Sequence, residues 1–463
     1  MHGPDGQSLA RRHVELYEVR SPAEVPNGRA ATAVMLCDIG PKGVSVSSTQ
    51  DTVLWLRVAV PSDATPGVYT SALEFSADGT PCGHFPFTVH VHDVLLPNPS
   101  DWSLGLEVWQ PWSLLGHSQG AALFTEPWWA TAEAYMMALA TLGVQSAQVG
   151  RAFCDWRRVA DGQWQFDFTR LDRFRRLCHD CGIDGPTSYL GMFGTGEPTQ
   201  VHYFDEAGEL QTVTAEPGEE MFDDAWAAFG EALARHWRHV ASPSDIYVWP
   251  TDRPAETEDV GRFAHAAGLL RSHSPDCRIG VTVDSAETAL ELADQVDRVA
   301  LPLQGLTEPS PKTVDKLRSM GKTVWGFLDP GDDGPSIQNG LPAVYSYAAG
   351  PLAYYLGLDG IVVSSSFGDV VADGTQDSDA TGDMQEQSAT TSLFHVGEQV
   401  RMSLAAERLF LGLQDAQLLQ MAGHEYTEEW FSEYSLQEDW RALARWDDRL
   451  RQRALTSSAI NRQ

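Results

Sequence analysis

The sequence predicts an α/β protein with a (β/α)8, TIM-like barrel, preceded by an incomplete antiparallel β-sandwich and followed by a helical tail. Two observations indicate this fold class. Short alternating segments separated by turns fill residues 12–94, and from residue 103 onwards eight apolar strand candidates alternate with helical stretches. We expect the sandwich at 1–97, the barrel at 98–424 and the tail at 425–463. A doubly wound open sheet is the alternative for the barrel region.

The sandwich is predicted from strand candidates at 13–19, 31–37, 52–60, 67–75 and 85–94. The segment VLWLRV (53–58) alternates as an antiparallel strand with one buried face does. These strands are few for a complete sandwich, so an edge is either missing or covered by the next domain. The linker LPNPS (96–100) ends this unit.

The barrel strands are predicted at 103–109, 144–150, 186–192, 246–250, 278–284, 298–304, 323–329 and 360–367. Helical stretches with apolar residues at three- and four-residue spacing lie between them, at 131–142, 168–181, 222–239, 257–272 and 311–320, and a last helix is expected at 400–421. Several helices end in a glycine just before the next strand, as at Gly143, Gly182 and Gly321.

The composition narrows the class of partner. The chain has 463 residues and a formal net charge of −32, which repels nucleic acids and anionic membrane surfaces. No apolar run reaches the ~20 residues of a membrane span, and the first residues lack the apolar core of a secretory signal. We therefore expect an acidic cytoplasmic protein with a small-molecule or oligosaccharide ligand; the sequence does not indicate its oligomeric state.

Neither the cysteines nor the long loops predict a metal or cofactor. Cys178 and Cys181 form a CxxC near the end of a helix, without further ligands nearby, and a structural role is expected. Long loops are predicted at 193–221 and 368–392, both after strand ends and hence at the active face. The second is rich in Asp and Gly but lacks the register of an EF-hand, so it is expected to be a solvated loop.

The segment DIYVWPTDRP (245–254) is the strongest candidate for a functional site. Its apolar part ends in a polar turn, and a helical pattern follows, so Asp252 should stand where the fourth strand meets its loop. In α/β barrels the catalytic residues lie at such strand ends.

Several segments in a fixed order resemble glycoside hydrolase family 123, whose members carry an N-terminal β-sandwich and a (β/α)8 barrel. They are LWLRVAVP (54–61), ATPGVY (64–69), FDF (166–168), LDRF (171–174), IYVWPTDRP (246–254), GKTVW (321–325), GIVV (360–363) and RLFLGLQDAQLL (408–419). Relative to the family, the first half of the sandwich is absent, so this member is either short or truncated at its start.

The resemblance implies a retaining β-N-acetylgalactosaminidase that uses the acetamido group of its own substrate. The family motif after the fourth strand is Asp-Glu-Pro, in which Asp orients the acetamido group and Glu is the general acid and base. Asp252, Arg253 and Pro254 stand at the matching positions. An arginine, with a pKa above about 12, cannot exchange a proton at neutral pH, so the family mechanism does not carry over at Arg253.

Three explanations follow for Arg253. Another carboxylate supplies the acid, the candidates being Glu107, Asp284, Asp329 and Glu256, of which Glu256 more simply begins a helix. Alternatively Arg253 binds an acidic group of a different substrate through its paired N–H donors. In the third explanation the protein is a carbohydrate-binding pseudoenzyme, or a barrel repurposed for another reaction.

Side chains near the strand ends complete the predicted site. Sugar rings pack against aromatic faces in such pockets, and these positions favour a carbohydrate-sized one. The predicted substrate-binding residues are Trp109, Trp112, Tyr203, Trp249, Gln304, Trp325, Phe327 and Phe367.

Overall fold

The computed structural model describes most of the chain, in several ranges separated by gaps. These ranges are residues 1–20, 35–39, 43–46, 51–115, 120–194, 198–240, 245–303, 310–328, 335, 337, 344–364, 367–368, 393–396, 400–423, 449, 451–452 and 455. Most of the predicted tail (425–463) and most of the Asp-rich loop (368–392) lie outside them.

Eight parallel strands form the predicted barrel. They are β6 (Gly105–Trp109), β7 (Ala147–Gly150), β10 (Thr187–Leu190), β13 (Ile246–Trp249), β14 (Arg278–Thr282), β15 (Arg298–Pro302), β16 (Thr323–Leu328) and β17 (Gly360–Ser364). Their order around the sheet is β6-β17-β16-β15-β14-β13-β10-β7, and a parallel bridge between Glu107 and Ser146 joins its two ends. The predicted fold class is confirmed, and the eight strand candidates coincide with these strands to within three residues at either end.

Helices follow the strands and cover the outside of the barrel. They are α1 (Glu126–Leu142), α2 (Thr169–Asp180), α3 (Glu220–Val240), α4 (Thr257–His273), α5 (Ala286–Leu292), α6 (Pro311–Ser319), α7 (Val344–Leu356) and α8 (Leu404–Ala422). The last helix begins at Leu404 and not at 400, because Val400–Met402 pairs with Phe394–Val396 as an antiparallel strand. Ser403 then caps the helix by accepting a hydrogen bond from the backbone N–H of Ala406.

Aromatic rings fill the interior of the barrel. The side chains that point inward form one cluster, whose buried members are Trp109, Tyr247, Trp249, Ala300, Trp325, Phe327 and Val362. Glycines on neighbouring strands make room for the indoles, since a Cβ on Gly280 would lie 2.5 Å from Trp249 and one on Gly360 would lie 2.6 Å from Trp325. A buried ion pair between Glu107 and Arg298 lies in the same interior.

A small sheet is inserted at the face where the barrel strands end. It joins β8 (Asp155–Arg158) and β9 (Trp164–Asp167), which follow β7, to β11 (Gln200–Phe204) and β12 (Leu210–Thr214), which follow β10. The prediction of a long loop at 193–221 is therefore wrong in part. The segment contains a hairpin whose strands pair from Gln200 with Thr214 to Phe204 with Leu210.

The N-terminal region forms two antiparallel sheets, as expected for a partial sandwich. One contains β1 (Val14–Arg20), β2 (Met35–Asp38) and β3 (Val53–Val58), and the other contains β4 (Gly67–Ala77) and β5 (Thr80–Val91). Arg57 on β3 pairs with the buried Glu407 of α8 and also donates to the Met402 sulfur at 3.4 Å. These contacts attach the N-terminal sheet to the end of the barrel.

Among the described residues, no helix combines the length and the apolar character that a membrane crossing requires.

Candidate functional site at the end of the fourth strand

Asp252 lies three residues beyond the end of β13. The four residues of that strand are buried, with Tyr247 and Trp249 in the barrel interior, and Val248 in the main core against the helices. The Thr282 hydroxyl, at the end of the neighbouring strand β14, donates a hydrogen bond to Oδ1 of Asp252. It also accepts a hydrogen bond of 3.0 Å from the backbone N–H of Arg253. One threonine therefore fixes both the carboxylate and the backbone that follows it.

Arg253 adopts a left-handed backbone conformation, with φ at 44°. For a residue with a Cβ this conformation costs about 1–3 kcal/mol, and such residues cluster at functional sites. Its Nε lies 3.5 Å from Oδ2 of Asp252, and its Cζ lies 5.5 Å from the centre of the Phe327 ring. The guanidinium is thus directed across the mouth of the barrel, beside Asp252.

The environment shifts the proton equilibrium of Asp252. Burial raises the pKa of this carboxyl above its ordinary value, and the negative charge of Asp284 adds to the rise. The charge of Arg253 and the hydrogen bond from Thr282 oppose the shift but do not cancel it. The side chain nevertheless keeps 43% of its surface exposed, so a ligand in the mouth can reach it.

The other predicted acids differ in their access to the mouth. Asp284 is exposed, two residues beyond Thr282, and close enough to influence Asp252. Glu256 is exposed at the N-cap of α4, which fits the structural role of beginning a helix. Glu107 is fully buried, with Oε2 3.3 Å from Nη1 of Arg298 and Oε1 2.7 Å from the Trp109 indole nitrogen. Asp329 lies outside the described residues.

Most of the predicted aromatic side chains are packed in cores. Trp109, Trp249, Trp325 and Phe327 are at most 5% exposed inside the barrel. Trp112 packs against Phe174 at 4.9 Å, between the barrel and its helices. Of the predicted set, Tyr203 on β11 keeps an accessible ring among the described side chains, whereas Gln304 and the side chain of Phe367 lie outside them.

Two further polar residues near the mouth had not been predicted. Gln110 follows β6 and Thr251 follows β13, and both are buried. Their side-chain oxygens have no hydrogen-bond partner among the residues that the structure describes. Buried polar atoms are normally paired, so a ligand or water at this end of the barrel would complete their hydrogen bonds. Thr282 was also missed, although a threonine at the end of the strand next to Asp252 was a usable signal.

The described ranges contain no group of three His, Cys, Asp or Glu side chains arranged to hold a metal ion. Cys178 and Cys181 both carry free thiols, and burial raises the pKa of each. A raised pKa leaves little of the thiolate that binds metals or reacts with disulfides, which agrees with a structural role.

A match to a known protein family shows to which family the chain belongs. The sequence model described as the catalytic domain of glycoside hydrolase 123 matches residues 109–422, more than half of the chain. The chain belongs to the glycoside hydrolase 123 family. The matched region begins at Trp109 on the first barrel strand and ends with α8, so this family 123 domain contains the mouth around Asp252. A search of curated proteins gave no significant match.

Solved structures agree with this fold. A family 123 glycoside hydrolase from Clostridium perfringens, studied for glycolipid glycan hydrolysis, superposes with a TM-score of 0.77 at 14% identity, over 100% of this chain and 87% of that one. A family 10 endoxylanase from a sugarcane soil metagenome gives a TM-score of 0.39 at 11% identity, over 68% and 97% of the two chains. A β-galactosidase from Bacillus circulans sp. alkalophilus gives 0.40 at 11%, over 69% and 56%. At these identities the first match shows the fold, and the other two carry no weight.

Proposed function

We propose that this family 123 protein hydrolyses a glycosidic bond in a glycoconjugate glycan, and that Asp252 and Asp284 carry the acid and base chemistry. The observation that supports this most is the raised pKa of Asp252, a carboxyl that stays accessible to a ligand. A carboxylic acid whose pKa is raised keeps its proton to a higher pH than an ordinary aspartate, and in that form it can donate the proton to the leaving oxygen.

Asp284 is the second carboxylate in this proposal. Thr282 contacts Asp252, Asp284 follows two residues later, and the charge of Asp284 acts on the Asp252 carboxyl. Two carboxyl groups at neighbouring strand ends suit a glycosidase, in which they stand about 5–9.5 Å apart according to mechanism. This pair would replace the general acid that the family places where Arg253 stands.

Arg253 is proposed to bind an acidic group of the substrate. Its side chain is 22% exposed, and the planar array of N–H donors on its guanidinium matches a carboxylate, sulfate or phosphate. A glycan that carries such a group would place its charge beside Arg253 and its glycosidic bond near Asp252. The backbone strain at Arg253 also suits a functional position better than a structural one.

Aryl glycosides test the proposal. The purified protein is assayed against aryl β-glycosides of N-acetylgalactosamine, galactose and glucuronic acid, together with D252N and D284N. We expect turnover of at least one glycoside and a loss of about 10²–10⁴-fold in kcat for each variant. Unchanged turnover in D252N would remove Asp252 from the mechanism. R253E should weaken the binding of acidic glycosides more than that of neutral ones.

A non-catalytic sugar-binding protein is the second candidate, and the arginine at the family's acid position is what favours it. In that case no glycoside in the panel is cleaved, yet one of them binds saturably. Equal binding by wild type and R253E would then argue against a role for Arg253 in either function.

A further inference from the structure

A cavity apart from the mouth around Asp252 lies at the same end of the barrel. It has a volume of about 210 Å³ and lies among the turn Arg151–Phe153 after β7, the start of α2 and the strand β11. This is smaller than the ~300–1,000 Å³ of sites for drug-sized ligands, so it suits a group of about one sugar ring. Its chemically distinctive lining residues are Phe124, Arg151, Asp155, Trp156, Arg170 and Tyr203.

This cavity is separate from the mouth around Asp252. Gly150, Leu190 and Trp249 stand side by side at the ends of β7, β10 and β13. The cavity wall begins after β7, and Asp252 follows β13, which lies two strands away. Neighbouring strands are about 4.8 Å apart, so the ends of β7 and β13 are separated by roughly 10 Å. Neither Asp252 nor Arg253 is among the residues that line it.

Arg170 offers unused hydrogen-bond donors to this cavity. Its Nη1 donates to Asp155 at 2.7 Å and to the Ala152 carbonyl at 3.4 Å, while its Cζ lies 4.7 Å from the Phe124 ring. Within the described part of the chain, Nε and Nη2 of Arg170 make no hydrogen bond. Those two atoms form one edge of the guanidinium, and such an edge binds both oxygens of a carboxylate or sulfate.

The rest of the lining suits the same kind of ligand. Arg151 adds a second guanidinium, held by the His202 carbonyl and lying 5.7 Å from the Trp156 ring. The two arginines face one carboxylate, Asp155, so the lining is locally positive in a chain of net charge −32. The Tyr203 hydroxyl makes no hydrogen bond with any described residue, and Leu123, Phe124 and Leu210 add apolar surface to the lining.

We propose that this cavity binds an acidic monosaccharide unit, in which Arg170 holds a carboxylate or sulfate and Tyr203 donates to a further sugar oxygen. The proposal goes beyond the function proposed above, because it needs neither hydrolysis nor the residues of the mouth. It makes the cavity a recognition site at the rim of the barrel, for an acidic residue of a glycan or for an acidic sugar on its own.

Titration calorimetry on the full chain tests the site, with methyl β-glucuronide, galactose 6-sulfate, neutral methyl β-glucoside and inorganic sulfate as probes. The experiment is run on R253Q, so that the guanidinium proposed at the mouth cannot contribute. We expect an acidic sugar to bind at least about tenfold more tightly than the neutral one, because hydrogen bonds to charged groups are the stronger kind. The carboxylate and sulfate probes then show which acidic group is preferred.

The variants R170M and Y203F locate the site, and R173M is a matched control. Arg173 lies one turn further along α2, is equally exposed at 42%, pairs with Glu126 and lies 4.4 Å from the Trp129 ring, but does not line the cavity. R170M should lower the affinity for acidic sugars roughly tenfold, and Y203F should lower it less. R173M should keep the affinity unchanged. Thermal unfolding verifies that each variant is folded.

Four results would overturn the proposal. The first is that acidic and neutral sugars bind equally well, and the second is that inorganic sulfate binds but none of the sugars does. The third is that R170M and R173M lose the same affinity for acidic sugars, and the fourth is that no probe binds R253Q saturably. A protein that hydrolyses glycosides but shows any of these results keeps the function proposed above and loses only the rim site. A protein without hydrolase activity that binds acidic sugars through Arg170 keeps the rim site.

Discussion

At the scale of single residues, Asp252 is held in a position that disfavours its ionised form. The carboxyl is partly buried next to another acid, and the following arginine has a strained backbone. Thr282 holds this arrangement through two hydrogen bonds, one to the carboxylate and one to the backbone. Sites of this kind often store unfavourable energy that the rest of the fold offsets.

Replacing Asp252 by asparagine should therefore stabilise the protein at neutral pH. The pKa of Asp252 is raised in the folded state above the ~3.9 of an unfolded chain, so between those two values the folded state binds more protons. Stability from this group is fully present below the unfolded pKa and is lost as pH rises through the folded one. Thermal unfolding of D252N should give a higher midpoint than wild type at pH 7, with a gain that shrinks towards pH 4.

A lower unfolding midpoint for D252N than for wild type at pH 7 would contradict this prediction. It would mean that the contacts of the carboxylate with Thr282 and Arg253 stabilise the fold by more than burial of the charge destabilises it. T282V is the companion variant, because it removes the hydroxyl and keeps the shape of the side chain. It should lower both the midpoint and the activity.

At the scale of elements, the sequence predicted where the barrel strands lie but not which way their side chains point. Apolar runs bounded by turns and glycines identified all eight strands. In a strand buried on both sides the alternation of polar and apolar residues disappears. The sequence could not show that Trp109, Trp249 and Trp325 fill the barrel instead of lining its mouth.

The contacts of the site were harder still to predict. Thr282 and Asp252 are 30 positions apart and meet only because β13 and β14 are neighbours. The cavity lined by Arg170 and Tyr203 depends on the hairpin β11–β12, in a segment predicted as a loop. The position of Asp252 beyond the end of a strand was predictable, because an apolar run ends in a polar turn just before it.

Gly280 on β14 provides a test of the barrel interior. A Cβ there would lie 2.5 Å from the Trp249 indole, so G280A should destabilise the protein by about 1–3 kcal/mol and lower activity by displacing the strand that leads to Asp252. The control is G261A in α4, where an added Cβ meets nothing within 4 Å. That variant should gain about 0.5–1 kcal/mol. Urea unfolding distinguishes the two, and equal effects would contradict the packing described here.

At the scale of the whole molecule, the N-terminal sheet is attached to the barrel through Arg57. Its partner Glu407 lies in α8 and is 5% exposed, so removal of the arginine leaves a buried charge unpaired. R57M should lower the free energy of unfolding by about 3–5 kcal/mol. The control is R20M, whose ion pair with Glu18 lies on the same sheet with Arg20 58% exposed, and it should cost about 0–1 kcal/mol.

Urea unfolding followed by tryptophan fluorescence measures both variants. A loss in R57M no larger than that in R20M would show that Glu407 does not depend on Arg57. The N-terminal sheet would then contribute little to the stability of the barrel. The predicted loss would instead mean that the N-terminal sheet and the barrel that carries Asp252 stabilise each other.

The central claim is that Asp252 acts as an acid at the mouth of the barrel, and the pH dependence of kcat/KM tests it most directly. For the best aryl glycoside of the panel, wild type should lose activity with rising pH as Asp252 loses its proton, at a pH above the ordinary ~3.9 of an aspartate. D252N should be roughly 10²–10⁴-fold less active and should lack this limb of the profile. A D252N variant with the wild-type rate and the wild-type pH profile would contradict the account.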